Sequence, residues 1–169
     1  MNKFILVDFD GVLTSVRYTL QCRQEHRQPN TYGLDWFDPA CLQALKTIVD
    51  QTGAGIVISS SWRELGDEVL RRVWEPMPGQ FVETTPIWIL TKREAVEAWI
   101  SAHPDDRFVI LDDTDLQLPR QVRTDPEVGL TMADARWAVR LMEVPVYPRH
   151  PKLEWLTRRI LREGEFAED

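Results

Sequence analysis

The sequence predicts an α/β protein built on a doubly wound parallel sheet. Three observations predict it. Short apolar runs at residues 4–7, 56–58 and 108–111 have the length and unbroken apolar character of strands buried on both faces. Helical apolar spacing fills the stretches between them, and strands separated by helices imply parallel βαβ units. Each run also ends in residues that carry chemistry: Asp8-Phe9-Asp10, Ser59-Ser60-Ser61 and Asp112-Asp113. Ligands of such sheets lie beyond the carboxyl ends of the strands, so these clusters are expected to meet.

The elements follow in order. Residues 4–7 are the first strand. Residues 16–35 are polar and turn-rich, with no element assigned. Asp38 as N-cap and Pro39 at the first helical position open a helix. Leu42, Leu45, Ile48 and Val49 give it an apolar face, and Gly53 closes it. A strand at 56–58 precedes a helix over 63–74, stopped by Pro76, Pro78 and Gly79. Thr91-Lys92-Arg93-Glu94 reads as a capping box ahead of a helix with Ala95, Val96, Ala98, Trp99 and Ile100. The strand at 108–111 is followed by a short strand at 121–123 and by helices at 131–142 and 153–161. There is no internal repeat and no low-complexity linker, so one domain is expected over 1–169, with residues 163–169 as an acidic, frayed tail.

Composition narrows the class. Apolar residues make up 43% and charged residues 28%, the balance of a globular protein and not of a disordered chain. No run approaches the ~18–20 apolar residues of a membrane span, and the short apolar start does not read as a leader. Cys22 and Cys41 are too few for a disulfide framework or a zinc site, which fits a reducing cytoplasm. The net charge of −7 argues against bulk electrostatic binding of nucleic acid. Local basic clusters remain, at Arg17, Arg23, His26 and Arg27 and again at Arg149, His150, Lys152, Arg158, Arg159 and Arg162.

The acidic pairs carry the chemistry. Asp8 and Asp10 are alternate residues of an extended segment and share a face, with Gly11 behind them to turn the chain. A hairpin turn is one alternative, since Asp-Gly favours it. A calcium loop lacks its third acid, its glycine and its closing Glu. Mg²⁺-assisted phosphoryl transfer accounts for the pair better: Asp8 attacks phosphorus, and Asp10 protonates the departing oxygen and then deprotonates water. Asp112 and Asp113 repel each other unless solvated or cation-bound, and with the first pair nearby they read as Mg²⁺ ligands. Asp115 reads as a loop residue. Ser59, or alternatively Ser60, offers a hydroxyl to a phosphate oxygen. Arg63 suits phosphate by its planar fork, against the plainer reading of a solvated helix-start arginine. Lys92 opposes the helix dipole at its own helix start, so a partner elsewhere is expected. Trp36 and Trp62 read as core or rim residues, with a nucleobase contact the alternative.

Motif by motif, the chain resembles the haloacid dehalogenase (HAD) superfamily of phosphotransferases. Asp8-Phe9-Asp10-Gly11-Val12-Leu13-Thr14 resembles its first motif, Ile56-Val57-Ile58-Ser59 the second, Lys92 the third and Ile110-Leu111-Asp112-Asp113 the fourth. The resemblance covers roughly residues 3–115 and implies a Rossmann-like sheet, catalytic Asp8, Asp10, Ser59 and Lys92, and Mg²⁺. It further implies that the metal is held by the Asp8 carboxylate, the Asp10 backbone carbonyl and the aspartates Asp112 and Asp113. Dehalogenating members lack the second aspartate, so Asp10 favours phosphatase chemistry. Ser59-Ser60-Ser61-Trp62-Arg63 and the stretch from Thr124 to Thr131 resemble a small capless group linked to RNA repair.

About 45 residues separate the first motif from the second strand, and one helix already occupies part of them, leaving no room for a large cap domain. An open site shifts the expectation toward a nucleotide or polynucleotide terminal phosphate, with Ser60, Arg63 and Arg17 binding substrate and Arg23 and Arg27 adding positive charge. The alternatives are another phosphorylated small molecule, a phosphoprotein, or a phosphate-binding module without turnover. No membrane partner is expected.

Overall fold

The computed structural model describes residues 1–30, 33–87 and 91–144. Five strands, β1 (Lys3–Val7), β2 (Gly55–Ile58), β3 (Phe81–Thr84), β4 (Arg107–Asp112) and β5 (Gln121–Arg123), form one sheet in the order β3-β2-β1-β4-β5. Every pairing is parallel. The helices are α1 (Val16–Gln24), α2 (Pro39–Thr52), α3 (Asp67–Trp74), α4 (Lys92–Ala102) and α5 (Met132–Glu143). The chain runs outward from β1 to β3 and returns to the far side of β1 with β4, so the direction of winding reverses beside β1, where doubly wound sheets bind ligands.

The sheet is buried on both faces, which explains its continuous apolar runs. Ile5, Val7, Ile56, Ile58, Val109 and Leu111 face one core with residues of α2, α3 and α5. Phe4, Leu6, Val57, Phe108 and Ile110 face the other, with Val96 and Trp99 of α4. Val7 pairs with Ile58 on one side and Leu111 on the other. That register brings the next residues, Asp8, Ser59 and Asp112, to one level at the sheet's carboxyl edge.

Several local signals act as the sequence suggests. Asp38 accepts the Ala40 amide as N-cap of α2, Pro39 follows it, and Gly53 ends the helix at φ +66°. Thr91 caps α4 by accepting the Glu94 amide. The expected helix at 131–142 is α5, and its start carries a reciprocal capping box of Thr131 and Asp134 that was not anticipated.

Three departures have physical causes. Residues 16–24, given no element, form α1: Ser15 accepts the Tyr18 amide as N-cap, but only Tyr18 and Cys22 are buried, so the helix has almost no apolar stripe to read. The helix expected over 63–74 is two pieces, a 3-10 turn at Ser61–Leu65 and α3 from Asp67, because Gly66 breaks the run at φ +86°. Strand β3 was not expected, since its four residues sit at the sheet edge with Val82 exposed and Phe81 the only one buried. The expected helix at 153–161 and the acidic tail lie outside the described residues. Cys22 and Cys41 are free and buried. Among the described residues no helix is long and apolar enough to cross a membrane.

Candidate active site

Asp8 leaves the end of β1 with its amide bonded to the Leu111 carbonyl, 3.0 Å. Its carboxylate is buried and held at both oxygens. Oδ1 accepts the Phe9 amide at 2.8 Å, and Oδ2 accepts Lys92 Nζ at 2.5 Å. Lys92 is the first residue of α4, and its ammonium also lies 3.1 Å from Asp112 Oδ2. Burial alone would lower the Lys92 pKa, but the charges of Asp8 and Asp112 outweigh it and raise it. The expected partner of Lys92 is thus the acidic cluster itself.

Asp112 is fully buried at the end of β4. Its Oδ1 accepts the Thr114 amide at 2.9 Å, while Oδ2, although ion-paired with Lys92, has no hydrogen bond among the described residues. Burial, reinforced by the Asp8 charge, pushes its pKa up to about 6. Asp113 is half-buried and lies against Gly11: a Cβ on Gly11 would stand 2.6 Å from Asp113 Oδ2. Gly11 also has φ +74°, so the acidic loop approaches the fourth motif only because that position has no side chain. Thr124 Oγ1 donates to the Gly11 carbonyl at 2.8 Å and pins the loop from below.

Asp10 is exposed at the rim. Partial burial, then the Asp8 charge, raises its pKa, against the lowering effects of a hydrogen bond from the Trp62 side chain and of Lys92. A raised carboxyl at the mouth of the site suits a proton donor. Phe9, between the two aspartates, points into the core, edge-on to Phe37 and Trp62 and stacked on Trp74. This aromatic cluster fixes the backbone that carries both acids. Trp36 and Trp62 pack against the same core as partly buried rim residues, their rings 6.1 Å apart.

Ser59 and Ser60 have separate roles. Ser60 Oγ accepts the Trp62 amide and caps the 3-10 turn. Ser59 Oγ is buried and has no hydrogen-bond partner among the described residues. Arg63 is 8% exposed and donates from one guanidinium nitrogen to the carbonyls of both serines, 3.0 Å each, so its visible bonds organise the serine loop. Arg17 is exposed on α1, and its amide donates to the Glu127 carbonyl. Arg23, not Arg17, lines a cavity of about 340 Å³ that also includes Asp10. Sequence reasoning missed Trp62 as a partner of Asp10 and Thr124 as the anchor of Gly11. Neither could be found without the fold, since 113 positions separate Thr124 from Gly11.

Oxygen atoms of Asp8, Asp112 and Asp113 lie within 4.8 Å of one another. Three carboxylates from two strand ends, one with a buried oxygen that has no hydrogen bond among the described residues, fit a hard divalent cation that takes oxygen ligands. The Asp10 carboxyl does not belong to this trio.

A parallel Rossmann-like sheet without a large cap, carrying acids on neighbouring strand ends and a lysine from the following helix, defines the HAD type of phosphatase-like hydrolase. The chain belongs to the HAD superfamily, in the family described as the HAD domain in Swiss Army Knife RNA repair proteins, whose sequence model matches residues 4–135. No curated protein and no solved structure matches it.

Proposed function

We propose that the protein is a Mg²⁺-dependent phosphomonoesterase that works through an aspartyl-phosphate and acts on a nucleic-acid end. The observation that carries this reading is the convergence of Asp8, Asp112 and Asp113 with Lys92 Nζ 2.5 Å from Asp8. Asp8, Asp112 and Asp113, with the Asp10 carbonyl, would hold Mg²⁺, which when bound would supply positive charge against the phosphate anion that Asp8 must approach. Asp8 Oδ attacks phosphorus and forms the acyl phosphate as the bond to the leaving oxygen breaks. Asp10 gives its proton to that oxygen. In the second half, Asp10 as carboxylate takes a proton from water, which attacks the same phosphorus and releases inorganic phosphate and free Asp8. Lys92 pairs with the Asp8 carboxylate and orients it, and the Ser59 hydroxyl, without a hydrogen-bond partner among the described residues, donates to a phosphoryl oxygen. The family's description supports an RNA end as substrate, and two free buried thiols accord with a reducing cytoplasm.

The test is turnover of p-nitrophenyl phosphate with and without Mg²⁺, by the natural chain and by Asp8→Asn, followed by a panel of 5′- and 3′-phosphorylated oligonucleotides, mononucleotides, sugar phosphates and phosphopeptides. Mg²⁺-dependent release of phosphate that disappears in Asp8→Asn and is fastest on an oligonucleotide end is expected. Full activity in Asp8→Asn removes the mechanism, and preference for another member of the panel removes the substrate.

A further inference from the structure

We infer that α1 forms the leaving-group subsite, in which Arg23 binds an internal phosphodiester of the nucleic-acid strand whose end is hydrolysed. The inference rests on the phosphatase reading above and adds to it the residues that select a polymer. Asp10, which faces the departing oxygen, lines a cavity of about 340 Å³ together with Thr14, Val16, Thr19, Leu20 and Arg23. A group leaving toward Asp10 therefore enters this groove. The four α1 residues stand at i, i+3, i+4 and i+7, one face of a helix.

The groove changes character along its length. At the Asp10 end it presents acid and the Thr14 hydroxyl. In the middle it presents Thr19 beside the aliphatic side chains of Val16 and Leu20, which are 41% and 48% exposed, a surface for a sugar. At the far end stands Arg23, whose guanidinium has no hydrogen bond or ion pair among the described residues. Its neighbour Arg27, by contrast, is paired with Glu25. Seven residues of helix at 1.5 Å each put Arg23 about 10 Å beyond Val16. That is about three stacked nucleotides at ~3.4 Å per step, and fewer where the strand is extended. A mononucleotide, having lost its only phosphate to the acidic centre, would leave Arg23 without a partner. In a chain of net charge −7, the Arg23 cation, unpaired among the described residues and set at the end of the leaving-group groove, selects an anionic leaving group.

The test compares kcat/KM for a terminally phosphorylated tetranucleotide with kcat/KM for p-nitrophenyl phosphate, whose leaving group does not reach Arg23. Arg23→Ala is expected to lower the ratio of the two about tenfold, Arg23→Lys to keep most of it, and Arg72→Ala to leave it unchanged. Arg72 is a sound control because it is exposed beside Phe81, at the end of the sheet where β3 begins. An unchanged ratio in Arg23→Ala, or a fall reproduced with a bisphosphorylated sugar but not with the tetranucleotide, overturns the inference. Binding of the tetranucleotide to Asp8→Asn with and without Arg23→Ala, read by fluorescence anisotropy, is expected to weaken about tenfold. This measurement tests the subsite without turnover, so its failure is distinct from absence of phosphatase activity in the natural chain.

Discussion

Lys92 Nζ lies 2.5 Å from Asp8 Oδ2 although 84 positions separate the two residues. The ammonium stands between Asp8 and Asp112, two buried carboxylates that would otherwise face each other with no cation between them.

Replacing Lys92 by Met is therefore expected to impair both folding and turnover. Breaking a buried ion pair costs about 3–5 kcal/mol, and the quarter exposure of the Lys92 side chain brings the expected loss to about 2–3 kcal/mol. Urea unfolding without Mg²⁺ measures it. Phosphatase activity is expected to fall at least about a hundredfold, the scale of a lost preorganised charge. Unaltered stability would mean that Lys92 does not compensate the acids.

The two serines at the end of β2 are expected to separate cleanly. Ser59→Ala removes a buried hydroxyl with no hydrogen-bond partner among the described residues, so stability holds or rises while turnover falls. Ser60→Ala removes a helix-start cap and costs about 0.5–1 kcal/mol, with a smaller effect on turnover. The reverse pattern in thermal unfolding and activity would assign the phosphate contact to Ser60.

Gly11→Ala tests the approach of the two acidic segments. The new Cβ meets Asp113 at 2.6 Å in a backbone conformation of φ +74° that strains an L side chain. A stability loss of about 1–2 kcal/mol is expected, with Mg²⁺ affinity weakened at least about tenfold, read from the Mg²⁺ concentration needed to raise Tm.

The dependence of stability on pH follows from Asp112. Its carboxyl titrates at about 6 in the folded protein against an ordinary 3.8, so the folded state binds a proton in that window that the unfolded chain has lost. Without metal, this group's contribution to stability declines as pH rises from about 4 to 6 and stays low above it. A divalent cation restores what ionisation removes, and protons compete with it below pH 6. The rise in Tm on adding Mg²⁺ is thus expected to be larger near pH ~7.5 than near pH ~5, measured by scanning calorimetry. An equal rise at both would detach Asp112 from the metal.

Much of this was legible before the fold was known because the informative residues sit where periodicity changes. Uninterrupted apolar runs identified β1, β2 and β4, and their acidic or hydroxyl endings pointed to the edge where Asp8, Ser59 and Asp112 come to one level. Asp38-Pro39 and Gly53 bounded α2 because caps are local chemistry. Where stability comes from distant packing, the signal was weak. Helix α1 buries only two side chains, and β3 is a four-residue edge held by β2. Gly66 divides the expected helix because its positive φ follows from the route of the chain, not from its neighbours in sequence. The functional placing of Arg17 and Arg23 has the same origin: which arginine lines the groove depends on a helix that composition does not reveal.

The level alignment of Val7, Ile58 and Leu111 leaves no slack for errors of strand length. Side chains alternate between faces, so one residue added to or removed from β1 would turn the Asp8 carboxylate away from Asp112 and Asp113 and exchange the two apolar faces of the central strand. Changes in length are tolerable in the connections at the opposite edge of the sheet; within these three strands, hydrolysis and folding would be lost together.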